Sequence, residues 1–86
     1  MYTVIVEQRV YKDFDRIPSP DLDKIYETIE SLENNPRKPG SQKLRGYKNR
    51  YRIRRGDYRI IYTIDDSAKI VNVFLVKHRK DAYQDW

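Results

Sequence analysis

The sequence predicts an α+β protein of two layers: an N-terminal strand, two helices, then a three-strand antiparallel meander and a short C-terminal tail. Three observations predict it. A β-branched stretch opens the chain at Tyr2 to Glu7, apolar residues then recur every three or four positions as far as Leu32, and beyond Arg50 the period drops to two. Two helices packed on one face of the sheet would bury their apolar stripes and leave the other face available.

The opening strand, YTVIVE, is expected to be largely buried, because Val4, Ile5 and Val6 are consecutive and leave no clean polar face. Val6, Val10, Phe14 and Ile17 then line one face of a short amphipathic helix over Gln8 to Ile17, stopped by Pro18. Ser19, Pro20, Asp21 and Asp23 form a helix start: a capping hydroxyl, a proline at the first helical position and carboxylates at the positive end of the dipole. Leu22, Ile25, Tyr26, Ile29 and Leu32 give this second helix a buried stripe running to Glu33, and Asp23, Glu27, Glu30 and Glu33 give it a solvated acidic face.

Residues 34–42, NNPRKPGSQ, read as a loop. On the next strand Tyr51 and Ile53 point one way while Arg50, Arg52 and Arg54 point the other. Gly56 and Asp57 make a two-residue turn whose order suits type II′. The return strand places Tyr58, Ile60, Tyr62 and Ile64 on one face and Arg59, Ile61 and Thr63 on the other. Lys69 to Lys77, KIVNVFLVK, is apolar on both faces and belongs in the middle of the sheet.

At 86 residues the chain is expected to be one domain, 1–86, with too little length for two cores. It has no cysteine and a single histidine, which argues against disulfides and thiolate or His-rich metal sites; no metal and no cofactor are expected. No run approaches the roughly 18 apolar residues that span a bilayer. The N-terminus also lacks the leading basic segment of a secretory signal, so the expected compartment is the cytoplasm, with no membrane partner.

The net charge of +5 is unevenly placed. Residues 1–35 carry eight acids and four bases, whereas residues 36–86 carry fourteen bases and five acids. Lys43, Arg45, Lys48, Arg50, Arg52, Arg54, Arg55 and Arg59 fall within seventeen residues that hold one acid, Asp57. Such a cluster repels itself unless a polyanion neutralises it, although a basic surface can also serve solubility alone. Arg50, Arg52 and Arg54 stand about 7 Å apart along their strand. That is close to the step between phosphates of an extended single strand, about 6 to 7 Å by the same logic, and Arg59 would complete a four-arginine cradle if it shared the face. The tail adds Lys77, His78, Arg79, Lys80 and Tyr83. His78 can trade protons near neutrality or be a solvated side chain, and Tyr83 can stack on a base, sit among cations that lower its pKa, or pack.

The segment KLRGYKNRYRIRRGDYRIIYTIDDSAKIVNVFLVKHRKDAY resembles the toxins of the RelE/ParE superfamily, in particular the RelE branch of ribosome-dependent mRNA interferases. The likeness rests on a basic Leu-Arg-Gly loop, Tyr-Arg-Ile-Arg on one strand, Gly-Asp-Tyr-Arg-Ile-Ile-Tyr across the turn and a His-Arg-Lys-x-x-Tyr ending, and it covers about half the chain. The resemblance implies a RelE-like fold and the toxin of a type II toxin–antitoxin system. It implies a metal-independent endoribonuclease that cleaves mRNA in the ribosomal A site by 2′-OH attack, leaving a cyclic phosphate and a 5′-hydroxyl. Its working positions match Arg52, Arg54, Arg59, Arg79 or its neighbour Lys77, and Tyr83. Lys43, Arg45, Lys48, Arg50 and Lys77 are the expected RNA-binding residues.

Arginines stand at 52 and 54 where the best-known pattern has lysines. A guanidinium is a poor base and a good phosphate clamp, so Tyr83 or His78 is the candidate for moving the proton, with Arg79 as a clamp. The implied partners are the ribosome, mRNA and a small acidic RelB-like antitoxin that covers the basic face in an oligomeric complex. The same fold in the ParE branch poisons DNA gyrase without cutting RNA. A non-catalytic RNA- or ribosome-binding module would keep the charge and dispense with Tyr83.

Overall fold

The computed structural model describes residues 1–81. The elements run β1 (Thr3–Val6), α1 (Gln8–Phe14), α2 (Ser19–Ser31), β2 (Ser41–Lys43), β3 (Arg50–Arg55), β4 (Tyr58–Asp65), β5 (Ile70–His78) and a single 3₁₀ turn, Arg79–Asp81. The five strands form one sheet in the order β1-β5-β4-β3-β2. β2 to β5 are antiparallel neighbours, and β1 closes the far side parallel to β5, with Thr3 opposite Ile70 and Val6 opposite Val73.

The two-layer α+β arrangement is as the periodicities predict. Val10, Phe14 and Ile17, with Ile25, Ile29 and Leu32 of the second helical segment, pack on Ile53, Tyr58, Ile60, Tyr62, Ile64, Val71, Val73 and Val76 of the sheet. Apolar residues at helical spacing on one side and at alternate strand positions on the other thus meet in one cluster. β5 lies inside the sheet, flanked by β1 and β4.

Several local expectations are corrected. β1 is an edge strand, not a buried one: only β5 pairs with it, Val4 and Val6 turn to the core, and Ile5 is exposed. The meander has four strands, because Ser41–Lys43, which begins inside the expected loop 34–42, pairs with Tyr51–Ile53. α1 stops at Phe14, and the chain reaches Ile17 through tightened turns in which Arg16 and Ile17 donate to the carbonyls of Asp13 and Phe14. Pro18 excludes helical geometry just before it, yet Ile17 still lands in the core. Ser19 lies inside the first turn of α2 and caps nothing; Pro18 occupies the cap position and its carbonyl accepts the Leu22 N–H at 2.9 Å.

The β3–β4 hairpin closes on Gly56 and Asp57 between the paired residues Arg55 and Tyr58. Gly56 has φ +59° whereas Asp57 stays at negative φ, as a type II′ turn requires. A β-bulge in the β4–β5 ladder, where Ile61 faces Leu75 and Tyr62 faces Val73, leaves Phe74 as the extra residue. Phe74, next to core-facing Val73, lies on the opposite face, against Arg9 and Arg50, and the bulge lets Leu75 follow it there before Val76 returns to the core.

Polar groups pin the rim. Asp66 accepts from the Tyr2 hydroxyl at 2.6 Å and from both terminal nitrogens of Arg37, at 3.1 and 2.8 Å. Arg37, followed by Tyr2, holds its carboxyl down at about 2. The Tyr62 hydroxyl donates to the Pro36 carbonyl at 2.6 Å, and burial pushes its pKa up to about 12. The unfolded phenol ionises near 10, so the stability tied to its protonated form is complete below pH 10 and is lost as pH rises to about 12. Urea unfolding across pH 9 to 12 is expected to show this decline. Tyr62→Phe is expected to lessen it and to lower neutral-pH stability by about 1–3 kcal/mol, since the Pro36 carbonyl loses its partner.

Candidate functional site: the open face of the sheet

Strand alternation sends every second residue of β3, β4 and β5 away from the helices, and register decides which of them meet. Arg54 is paired with Arg59, and Arg59 with Lys77, so three cations stand in one row across three neighbouring strands. Arg52 lies one step along β3, opposite Ile61, and donates to the Gln42 side chain of β2. Arg59 thus shares the face with Arg50, Arg52 and Arg54. Its Nη1 donates to the carbonyls of Tyr58 at 3.1 Å and Gly56 at 3.3 Å, which fixes the guanidinium over the hairpin.

Like charges opposite one another repel, and the titration of the group reflects it. Burial, then Arg54, then Arg59 lower the Arg52 pKa; burial, then Arg54 and Arg79, lower that of Arg59. Among the described residues no carboxylate comes within ion-pair distance of Arg52, Arg54 or Arg59. The nearby acids are engaged at the margin: Asp57 with Arg79 at 3.6 Å, Asp13 with Lys77 at 3.6 Å, and Glu27 with Arg55 at 4.0 Å. The Arg79 N–H also donates to the Asp57 carbonyl at 2.6 Å, which anchors the start of the 3₁₀ turn to the hairpin.

The other expected residues are distributed more widely. Arg50 sits between the rings of Tyr47 and Phe74 at the far end of the face. Lys43 is exposed on β2 opposite Tyr51, so it alternates toward the helix side, and Arg45 and Lys48 are exposed in the loop that follows. His78 is paired with Tyr58, edge to face at 5.1 Å between ring centroids, and so lies on the helix side, away from the arginine row. Its Nδ1 accepts the Lys80 N–H at 3.1 Å, and it borders a cleft of about 350 Å³ shared with Asp13, Arg16, Ile17 and Lys77. Tyr83 lies outside the described residues.

Sequence reading missed the cluster of Arg9, Tyr47 and Phe74 around Arg50. The signal was thin, because Phe74 reads as one more apolar residue of a strand that is apolar on both faces.

The fold and this face define a small α+β protein with a cationic sheet surface on which Arg52, Arg54 and Arg59 have no carboxylate partner among the described residues, the layout of a toxin from a type II toxin–antitoxin pair. Residues 4–83 match the family described as "ParE toxin of type II toxin-antitoxin system, parDE", and the chain belongs to it, within the RelE/ParE superfamily. It is 31% identical over 84 residues to the toxin RelG of Mycobacterium tuberculosis, spanning 96% of this chain and 97% of the relative. Among solved structures it resembles the RelE–RelB complex of Pyrococcus horikoshii, with TM-score 0.80, 30% identity and coverage of 91% of this chain and 94% of that one. It also resembles the toxin–antitoxin complex RelBE2 of Mycobacterium tuberculosis, with TM-score 0.79, 30% identity and 91% and 98% covered.

Crowded cations strain the free protein, so removing one at the surface relieves it. Arg54→Gln is expected to raise the thermal midpoint at low salt by about 1 to 8 °C, from a like-charge term of about 0.2–1 kcal/mol. The gain is expected to vanish in 0.5 M salt, and differential scanning fluorimetry at both ionic strengths checks it.

Proposed function

We propose that this toxin is a metal-independent endoribonuclease that cleaves mRNA in the ribosomal A site. The observation that carries the reading is the face shared by Arg52, Arg54 and Arg59, three guanidinium groups on neighbouring strands with no carboxylate partner among the described residues, beside which Lys77 and Arg79 stand at the margin, so that a phosphodiester can lie there. The ribose 2′-oxygen attacks phosphorus, the bond from phosphorus to the 5′-oxygen breaks, and the products are a 2′,3′-cyclic phosphate and a 5′-hydroxyl. The negative charge that gathers on the non-bridging oxygens in the transition state is met by the guanidinium groups of Arg52, Arg54 and Arg59.

The proton inventory follows from residue chemistry. Guanidinium groups do not accept the 2′-hydroxyl proton, and His78 faces the other side of the sheet, which favours Tyr83 as the acceptor in its tyrosinate form. The leaving 5′-oxygen needs a proton in return. The ammonium of Lys77, opposite Arg59 and 3.6 Å from Asp13, can supply it on leaving that carboxylate, with Arg79 as a clamp beside Arg59.

The solved relatives named above are complexes with RelB antitoxins, and by that likeness this protein pairs with a small acidic RelB-like antitoxin. Covering the open face would neutralise the arginines and add stability by mass action.

Arg59→Ala, and separately Tyr83→Phe, are expected to lower cleavage of ribosome-bound mRNA by roughly 10²-fold or more while the protein stays folded. Mapping transcript 5′ ends after induction checks this. Toxicity that persists without new in-frame ends would instead favour the gyrase-poisoning reading, which the ParE name of the matching family keeps in view. Binding to ribosomes or single-stranded RNA is expected to weaken with salt, log K falling by about 0.7 per phosphate against log salt, or about 2 to 3 for three or four contacts. A flat response would remove the arginine cradle from the account.

A further inference from the structure

The open face has a second end that the reaction does not use. There the guanidinium carbon of Arg50 lies 3.9 Å from the Tyr47 ring centroid and 4.8 Å from that of Phe74, so one cation is held between two rings. Arg9 lies 5.5 Å from the Phe74 centroid, and Glu7 steadies it, meeting Arg9 at 3.3 Å and accepting from Asn72 at 2.6 Å. Arg50 covers one side of the Tyr47 ring, yet the residue is 43% exposed.

The loop that carries Tyr47 is closed at its base. The Leu44 N–H donates to the Arg50 carbonyl at 2.9 Å, and Asn49 exchanges bonds with Ile64, accepting its N–H at 3.2 Å and donating from Nδ2 to its carbonyl at 3.3 Å. Gly46, at φ +83°, makes the turn just before the ring in a conformation that side chains resist. An exposed aromatic ring fixed in this way gives up little freedom when a planar ligand lands on it.

We propose that Tyr47 is a stacking platform for an unpaired nucleobase of the RNA whose phosphates lie on Arg52, Arg54 and Arg59. The inference rests on the RNA reading above and adds a base subsite to it. Arg50 and Arg52 are two residues apart on one strand face, about 7 Å, which is roughly one nucleotide step of an extended strand. A phosphate on Arg52 thus places the neighbouring base within reach of the ring that Arg50 supports. The surroundings select the ligand class: from Lys43 to Gly56 there are seven cations and no acid, a setting for a polyanion rather than for an apolar protein segment. Arg50 also draws π density toward its own side of the ring, and so eases stacking of a second ring on the outer side.

The test is binding of the free, full-length protein to a single-stranded RNA hexamer with 2-aminopurine at one position and 2′-deoxyribose throughout the cleavable steps, beside a probe made abasic at that position. The wild type is expected to quench the 2-aminopurine and to bind the intact probe more tightly than the abasic one. Tyr47→Ala is expected to weaken binding of the intact probe about tenfold and to abolish quenching, with abasic binding unchanged; Tyr47→Trp is expected to retain both. Arg59→Ala is expected to weaken both probes alike. Unchanged affinity and quenching in Tyr47→Ala, equal weakening of both probes by it, or an effect seen only on an antitoxin complex would each overturn the platform. No step of the assay requires cleavage, so a protein that stacks bases but does not cut RNA would sink the nuclease reading and leave this one standing.

Discussion

The backbone ladder of β3, β4 and β5 is the constraint on which the rest depends. Free in solution, Arg54, Arg59 and Lys77 would move apart; here the hydrogen-bond register holds them opposite one another across three strands. Each like-charge pair costs a few tenths of a kcal/mol, up to about 1. The apolar cluster on the other side of the same strands, from Ile53 through Val76, offsets that cost. Core and site are thus the two faces of one set of residues, and alternation is the device that separates them.

The open face is not merely a charged surface. Ile61, opposite Arg52 and Leu75, is fully buried although it lies outside the cluster that the helices cover, and Phe74 is nearly so. Long arginine side chains lying along the sheet shield apolar groups with their methylene stems while keeping their heads in water. The length of β3 gives the face its two ends, guanidinium groups grouped at the hairpin and a cation between rings near the 44–49 loop.

Period and composition made much of this legible. Helical spacing from Val6 to Leu32 and alternation from Arg50 to Ile64 are intrinsic to the elements they mark, so the two layers and the arginine side of β3 could be read directly. The II′ turn followed from the order Gly56-Asp57. What escaped depends on partners remote in sequence. Ser41–Lys43 becomes a strand only because Tyr51–Ile53 offers it an edge, and β1 takes an edge place because its partner is β5, some 67 residues later by the Thr3–Ile70 pairing. His78 was grouped with its basic neighbours, whereas a single step along a strand changes the face; it sits against Tyr58 while Lys77 joins the row. The setting of Tyr47 also depends on remote partners, since Arg50 lies against both its ring and that of Phe74.

The parallel pairing of β1 with β5 also bears on synthesis. Thr3 through Val6 find their partners only when Ile70 to Val73 exist, and the Tyr2 hydroxyl waits likewise for Asp66. Long-range closure of this kind is slow and late, because loop entropy is lost before the contacts repay it. Lys77, which completes the cationic row, is laid down after all of these. A nascent chain therefore carries its arginines through much of its synthesis without the ladder that aligns them.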